Sequence, residues 1–182
     1  MKNLLLSLVL LNSTFALLSQ NVNEDTILHN QFCDYVEWLK VHPVEINTIS
    51  ETNGLDKFVK EWIGIPYRYG GMSKRGIDCS GLTQKLYQEI YNIKLPRTAK
   101  QQWNFTKRID FVDMQLGDLI FFKSKRSPSG WHVGFYLGNG YFVHAPKRGD
   151  RVKISNLNKS YYSKTFHSGG RLGEEQKELV NL

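Results

Sequence analysis

Helical and strand patterns occupy separate parts of this 182-residue chain, and this separation constrains its fold more than any other feature. Residues 54–107 carry apolar side chains at helical spacing, interrupted by glycine-rich loops. Residues 111–172 contain short apolar runs typical of strands. These runs are Leu119–Phe122, Trp131–Leu137, Tyr141–Ala145, Val152–Ile154 and a last one near Phe166–Leu172. Helices followed by strands predict an α+β fold rather than alternating β-α-β units.

The first 19 residues have the pattern of an export signal. Lys2 precedes Leu4–Leu11, a run that is apolar apart from one serine. Small residues then suggest cleavage after Ala16, with Ser19 as the alternative. The run is shorter than the roughly 20 apolar residues of a membrane-spanning helix. We therefore expect an exported protein whose mature chain has no integral membrane span.

An N-terminal extension, residues 20–53, is expected between this signal and the main domain. Apolar side chains recur at helical spacing from Ile27 to Leu39, and Pro43 follows, which predicts one short helix there. The main domain is predicted over residues 54–173. Residues 174–182 form a charged C-terminal tail that we expect to be frayed.

The chain is basic, with 24 Lys and Arg against 17 Asp and Glu and a formal net charge of +7. Such a charge favours an anionic partner: a nucleic acid, a membrane or a cell-wall polymer. The sequence has neither a basic helix nor the aromatic strand motif of an RNA-binding domain, so we expect no nucleic-acid partner. A hydrophobic content of 41% also excludes a disordered tail protein.

Cys79 stands at the predicted start of a helix. It follows Asp78 within the segment Gly76–Gly81, and the apolar residues from Leu82 to Ile90 fall at helical spacing. Asp78 suits the N-cap position, which puts Cys79 in the first helical turn. The positive end of a helix favours thiolate over thiol, and its free N–H groups would face an oxyanion formed beside the sulfur. The pattern predicts a nucleophile.

Two other interpretations of Cys79 stay open at this point. A free cysteine is most often buried and inert, although the glycine and polar neighbours of Cys79 argue against burial. In an exported protein, a disulfide between Cys33 and Cys79 is the second alternative. A reversible disulfide of this kind would silence the thiol.

Two histidines lie on either side of a predicted hairpin. His132 and His144 are in strand patterns, and Gly138–Gly140 between them is typical of a tight turn. A two-residue turn would place His144 opposite Phe135, with the histidines on opposite faces. A three-residue loop places His144 opposite Gly134, so that both imidazoles share one face, about 7–8 Å apart or less. We predict the three-residue loop, with one imidazole as base and the other orienting it.

A zinc site formed by Cys79, His132 and His144 is the alternative interpretation of the same residues. Their spacings are long and match no Cys/His zinc pattern. We therefore expect no metal ion at these residues.

Six segments between about Leu55 and Leu172 occur in a characteristic order. They are Trp62–Gly71 (WIGIPYRYGG), Gly76–Leu82 (GIDCSGL), Leu95–Gln102 (LPRTAKQQ), Gly117–Phe122 (GDLIFF), His132–Gly138 (HVGFYLG) and Phe142–Ala145 (FVHA). Together they resemble the NlpC/p60 family of bacterial cell-wall cysteine peptidases, a papain-like group. The resemblance implies N-terminal helices packed on an antiparallel sheet, with the nucleophile at a helix N-terminus and residues 54–173 as the catalytic domain.

The resemblance implies a role for three residues in catalysis. Cys79 matches the nucleophile, His132 the general base and His144 the polar third member. His132 would take the thiol proton, unless the pair already rests as thiolate and imidazolium. The sulfur would attack a peptide carbonyl of a peptidoglycan stem, and water would hydrolyse the thioester. No metal or cofactor is implied.

Other residues match positions around the family's cleft. Tyr67 matches a tyrosine that helps to hold the reacting carbonyl or the substrate. Asp78 and Ser80 match positions that help to recognise the stem peptide in some members, with helix capping as the alternative. Arg97 and Thr98 match a further family segment, in which Thr98 is also a plausible N-cap.

The resemblance implies peptidoglycan stem peptides as partners, and the periplasm or the cell-wall space of a bacterium as the location. Two bonds are candidates: the D-γ-glutamyl bond to the diamino acid, and the crosslink between D-Ala and a diamino acid. A monomer is expected. The alternative functions are an amidase or acyltransferase acting on another substrate, and a wall-binding protein without activity.

Overall fold

The computed structural model describes residues 49–125 and 127–173. Within this part of the chain the helices are α1 (Ile49–Trp62), α2 (Cys79–Tyr91), α3 (Ala99–Phe105) and α4 (Ser160–Thr165), with a 3₁₀ turn at Phe111–Asp113. Three of the four helices precede the main sheet, which confirms the predicted order of helices and strands. Helix α1 runs across residue 54, where the main domain was predicted to begin.

The described strands form a small hairpin and one larger sheet. The hairpin pairs β1 (Met72–Ser73) with β2 (Gly76–Ile77). The six strands of the sheet are β3 (Lys107–Ile109), β4 (Leu119–Lys123), β5 (Trp131–Gly138), β6 (Tyr141–His144), β7 (Lys153–Asn156) and β8 (Phe166–Arg171). Their order is β3-β8-β4-β5-β6-β7, and every neighbouring pair is antiparallel. The predicted α+β class is confirmed.

The five predicted strands are all present, with ends that differ by up to two residues. Strand β7 differs most, since it covers Lys153–Asn156 and was expected at Val152–Ile154. Strand β3 was not predicted. Its residues Lys107 and Arg108 are exposed, so the segment lacks the apolar signal of a strand and is held by pairing with β8.

Apolar side chains cover both faces of the sheet. On β4, Leu119 and Phe121 join the cluster that contains the buried side chains of α1 and α2. Ile120 and Phe122 face the other way and join a second cluster, which includes Phe142 of β6. This alternation follows the two-residue period of a strand. Burial on both faces explains why the strands appear in the sequence as continuous apolar runs.

Several predictions concern residues outside 49–125 and 127–173. These are the export signal, the helix expected between Ile27 and Leu39, any disulfide of Cys33, and the tail over residues 174–182. Among the described helices, none combines the length and apolar character needed to cross a membrane.

Candidate active site

Helix α2 begins at Cys79, as predicted, with Asp78 as its N-cap. The backbone of Asp78 is extended, and its Oδ1 accepts a hydrogen bond from the N–H of Gly81 at 2.7 Å. This bond satisfies one of the free donors of the first turn. The cap therefore fixes the start of α2, and with it the position of the Cys79 side chain.

The Asp78 carboxylate also ties together the segments that surround the start of α2. Its Oδ2 accepts a hydrogen bond from Gly70 N–H at 2.8 Å, and Ser80 Oγ donates to Oδ1 at 3.3 Å. Arg97 forms a two-pronged pair with it, at 2.9 Å to Oδ1 and 2.8 Å to Oδ2. Arg97 Nη1 also donates to Ser80 Oγ at 3.1 Å. These contacts favour a structural role for Asp78, the capping alternative.

Helix α3 is anchored to the start of α2 by the buried side chain of Gln102. Its amide nitrogen donates to the carbonyl of Ser80 at 3.0 Å and to that of Pro96 at 2.9 Å. Thr83 Oγ1 donates to Gln102 Oε1 at 2.8 Å. Thr98 is the N-cap of α3, as predicted, and forms a capping box with Gln101.

Cys79 is buried, with 8% of its surface exposed, so the expectation that its neighbours keep it exposed was wrong. The first turn of α2 packs against β5, and this contact could not be read from the local sequence. Burial raises the pKa of the Cys79 thiol to about 11, although the backbone N–H groups near the sulfur, those of Val133 and of the first turn of α2, act in the opposite direction. The free protein therefore favours the neutral thiol of Cys79, whereas the position at the helix N-terminus had predicted the thiolate.

The hairpin between β5 and β6 has the two-residue turn of one predicted alternative and the histidine register of the other. Asn139 and Gly140 both have positive φ, as in a tight two-residue turn, and Gly138 pairs with Tyr141. A bulge between Tyr136 and Gly138 then shifts the register by one residue. Beyond the bulge the register is the one predicted from a three-residue loop. The predicted loop length was wrong, but the predicted alignment of the histidines is confirmed.

This register brings the two histidines into contact on one face of the sheet. His132 Nε2 lies 2.7 Å from His144 Nδ1, a hydrogen bond between buried rings. Gly134 makes the approach possible. A Cβ at this position would lie 2.9 Å from Phe142 Cδ2, 3.0 Å from Val143 O and 3.3 Å from His144 Cβ.

Behind His144 lie two hydroxyl groups that the sequence analysis did not identify. His144 Nε2 lies 3.0 Å from Ser155 Oγ on β7 and 3.3 Å from the Tyr162 hydroxyl on α4. Ser155 Oγ in turn donates to the Tyr162 hydroxyl at 3.3 Å. Both residues depend on contacts distant in sequence, and no local motif marks them.

Both histidines are held neutral by their surroundings. Burial lowers the pKa of His132 to about 4. Burial lowers the pKa of His144 well below its usual value, and the nearby charges of His132, Lys153 and Lys159 act in the same direction. With a Cys79 pKa of about 11, the free protein holds a neutral thiol and a neutral imidazole at pH 7.

Tyr67 lies close to the cysteine, on the segment before the β1–β2 hairpin. Its backbone N–H donates to Asp150 O at 2.8 Å, and it forms a bridge with Ile77. Partial burial, together with the nearby charges of Cys79 and Asp78, raises the pKa of its hydroxyl to about 12. The hydroxyl is therefore a proton donor at neutral pH.

The predicted site residues form two groups that meet at β5. Tyr67, Asp78, Cys79 and Ser80 surround the start of α2, while His132 and His144 lie on the sheet. Val133, the residue after His132, belongs to the same buried cluster as Cys79. Within residues 49–125 and 127–173 there is no group of three or more His, Cys, Asp or Glu side chains that is arranged to hold a metal ion.

Helices followed by an antiparallel six-stranded sheet, with a cysteine at a helix N-terminus and a histidine pair on the sheet, are the features of a papain-like α+β fold. The sequence profile of the NlpC/P60 family matches residues 64–171, which include every residue of this site. The chain belongs to the NlpC/P60 family.

Individual proteins support this assignment. The chain is 48% identical over 106 residues to a "Probable endopeptidase" of Haemophilus influenzae, a match that covers 58% of this chain and 65% of that protein. It is 38% identical over 112 residues to the Escherichia coli protein named "Murein DD-endopeptidase MepS/Murein LD-carboxypeptidase", covering 62% of this chain and 58% of the relative.

Among solved structures, a Staphylococcus aureus NLP/P60 family protein described as similar to lipoprotein superposes with a TM-score of 0.62 at 32% identity. The superposition covers 69% of this chain and 42% of the other. The match therefore spans less than two thirds of the length of each of these three proteins.

Proposed function

We propose that this protein is an exported cysteine peptidase that hydrolyses peptide bonds in peptidoglycan stem peptides. One observation carries the proposal: the 2.7 Å contact between His132 on β5 and His144 on β6 stands on the strand against which the helix of Cys79 packs. These two elements supply a nucleophile, a base and a group that orients the base. The names of the relatives, which include murein endopeptidases, support peptidoglycan as the substrate.

The histidine contact assigns the position of each ring proton. Nε2 of His132 faces His144, which leaves Nδ1 of His132 to accept the thiol proton. Nε2 of His132 must then carry a hydrogen and donate it to Nδ1 of His144. His144 carries its own hydrogen on Nε2 and donates it to Ser155 Oγ, 3.0 Å away. This chain of donors keeps His132 in the tautomer that general base catalysis needs.

The reaction begins from a neutral thiol and a neutral imidazole. His132 takes the thiol proton as the sulfur attacks the peptide carbonyl, so that a carbon–sulfur bond forms and an oxyanion develops. The N–H groups at the start of α2 lie beside the sulfur and, with the Tyr67 hydroxyl, stabilise that oxyanion. A donor of this kind contributes about 10²–10³-fold to the rate.

The tetrahedral intermediate breaks down with a second proton transfer. His132 donates the proton to the leaving amine as the carbon–nitrogen bond breaks, which produces a thioester on Cys79. Water, activated by the same imidazole, then hydrolyses the thioester and restores the thiol. The residues of the chain supply every step of this mechanism.

Asp78 and Ser80 contribute by position in this proposal. The Asp78 carboxylate already accepts hydrogen bonds from Gly70, Ser80, Gly81 and Arg97. It therefore holds the loop and the helix start in place, while Tyr67 remains the residue that contacts the substrate.

Digestion of purified peptidoglycan sacculi tests the proposal. Residues 20–182, which lack the proposed export signal, and the Cys79→Ala variant of the same segment would be incubated with sacculi, and released fragments identified by mass spectrometry. Stem-peptide fragments released by the wild type alone would support the proposal, and their masses would identify the bond. No release by a correctly folded wild type would contradict it.

A further inference from the structure

A cluster of three rings joins α3, the start of β5 and β8. The ring centroids of Trp103 and Trp131 are 4.8 Å apart, and the imidazole of His167 lies 5.6 Å from the first and 5.1 Å from the second. Trp103 Nε1 donates to Ser168 Oγ at 3.1 Å, which holds this indole against β8. Three elements that are distant in the sequence therefore build one aromatic platform.

Two cationic side chains lie on this platform. The guanidinium carbon of Arg108, on β3, is 3.6 Å from the centroid of Trp103. The Nζ of Lys123, on β4, is 3.2 Å from the centroid of Trp131 and 6.0 Å from that of Trp103. The face of an aromatic ring attracts a cation, so both charges are held in place. We call Trp103, Arg108, Lys123, Trp131 and His167 the basic aromatic surface.

The two charges of this surface are not neutralised by a carboxylate. Among the residues that the structure describes, no Asp or Glu forms an ion pair with Arg108 or Lys123, and both side chains are exposed. Arg108 Nη1 donates to the carbonyls of Trp103 and Thr106, which fixes the guanidinium. Burial, together with the nearby charges of Lys123 and Arg108, lowers the pKa of His167. The surface therefore presents two fixed positive charges to an anion.

The basic aromatic surface adjoins the candidate active site without sharing a residue with it. Trp103 follows Gln102, whose amide nitrogen donates to the carbonyl of Ser80 at the start of α2. Trp131 directly precedes His132 on β5. A polymeric substrate that reaches the site therefore has its neighbouring repeats close to this surface.

We infer that the basic aromatic surface binds carboxylates of stem peptides that are not being cleaved, and so holds the enzyme on the polymer. The inference rests on the proposed function, which supplies a polymer with carboxylates on its stems. Arg and Lys pair with carboxylates through charge-assisted hydrogen bonds. Because a sacculus offers many stems, binding one of them raises the local concentration of scissile bonds at the active site. A short soluble muropeptide gains nothing from this contact.

Binding to intact sacculi tests the inference separately from catalysis. All proteins carry Cys79→Ala, so that the sacculi are not digested during the measurement. The surface variant is Arg108→Gln/Lys123→Gln. The control is Lys57→Gln/Lys94→Gln, which makes the same change in net charge at exposed lysines outside the surface. One batch of sacculi, freed of protein and of phosphate polymers, is used untreated, and a second has its carboxylates converted to carboxamides.

We expect the Cys79→Ala parent to bind untreated sacculi roughly tenfold or more tightly than amidated sacculi. The surface variant loses this preference, and the control keeps it, with the fold of each variant checked by circular dichroism. Added salt weakens binding of the parent, a measurement that requires no further substitution. With Cys79 restored, the surface variant digests sacculi more slowly than the wild type. Its kcat/KM on the shortest soluble muropeptide that the wild type cleaves stays within about threefold.

Three outcomes would overturn the inference and leave the proposed function standing. They are equal binding of untreated and amidated sacculi, a preference that the surface variant keeps, and an equal loss of rate on sacculi and on the soluble muropeptide. Binding to phosphatidylglycerol vesicles or to a DNA duplex, without binding to sacculi, would also overturn it. If the carboxylate preference holds but the folded wild type digests no sacculi, the proposed function fails and the surface stands as a wall-binding site.

Discussion

His132 Nε2 and His144 Nδ1 lie 2.7 Å apart on adjacent antiparallel strands. This contact exists because the Asn139–Gly140 turn is followed by a bulge that moves β6 by one residue against β5. Without the bulge the two rings would face opposite sides of the sheet. The catalytic proposal therefore depends on a backbone irregularity at the other end of the hairpin.

Replacement of His144 should reduce catalysis more than substrate binding. In His144→Ala, His132 loses its hydrogen-bond acceptor and the constraint on its tautomer. We expect kcat to fall by about 10²–10⁴-fold with a small change in KM. Steady-state kinetics on a muropeptide measure both constants. Ser155→Ala is the matched control, because it removes only the outer partner of His144, and we expect its kcat to fall less. A His144→Ala kcat within threefold of wild type would contradict an orienting role.

The dependence of activity on pH should reflect the buried histidine. His132 must be neutral to accept a proton, and burial lowers its pKa to about 4. The acid limb of kcat/KM is therefore expected near pH 4, with activity retained at pH 5.5, rather than near the usual histidine value. A pH profile of kcat/KM, with folding checked by circular dichroism at each pH, measures this limb. An acid limb between pH 6 and 7 would show that the base is solvated in the free enzyme.

Substitution of Gly134 tests the close approach of the two strands. The Cβ of Gly134→Ala would lie 2.9 Å from Phe142 Cδ2 and 3.0 Å from Val143 O, so β6 must move away. We expect a loss of roughly 1–3 kcal/mol in the free energy of unfolding and a lower kcat. Urea denaturation measures the first effect.

Gly54→Ala is the control for this substitution. It lies in α1, where its Cβ would meet only the flexible end of Ile90, at 3.3 Å. Alanine is the better helix former by roughly 0.5–1 kcal/mol, so this variant should be at least as stable as the wild type. Equal stability of the two variants would contradict the argument.

Removal of Arg97 should weaken the start of α2. Its guanidinium pairs with both oxygens of the buried Asp78 carboxylate, while about a third of the arginine side chain remains exposed to water. Because that exposure screens the pair, we expect Arg97→Ala to lose only about 1–2 kcal/mol in the free energy of unfolding. Arg97→Lys should restore part of the stability but not the two-pronged geometry. Denaturation curves that match the wild type for both variants would contradict this role.

Local sequence patterns predicted the helix caps and the buried strands, which depend on residue type and spacing. The cap at Asp78, the cap at Thr98 and the core strands follow from residue type and spacing, and the structure confirms each of them. Strand β3 was missed because its exposed residues carry no apolar pattern.

The site was predicted less completely, for a physical reason. Burial of Cys79 arises from the packing of α2 on β5, and the contacts of Ser155 and Tyr162 with His144 join separate elements of the chain. Such long-range contacts leave no local signal. The β5–β6 hairpin was also predicted only in part. Its turn sequence was recognised, but the bulge that shifts the register by one residue was not.

The turnover rate of Cys79→Ala on a defined muropeptide tests the central claim most directly. The account predicts that removal of the thiol reduces kcat by at least about 10³-fold while the variant keeps its fold and its substrate affinity. A kcat within tenfold of the wild type would contradict Cys79 as the nucleophile, and the cysteine peptidase mechanism with it.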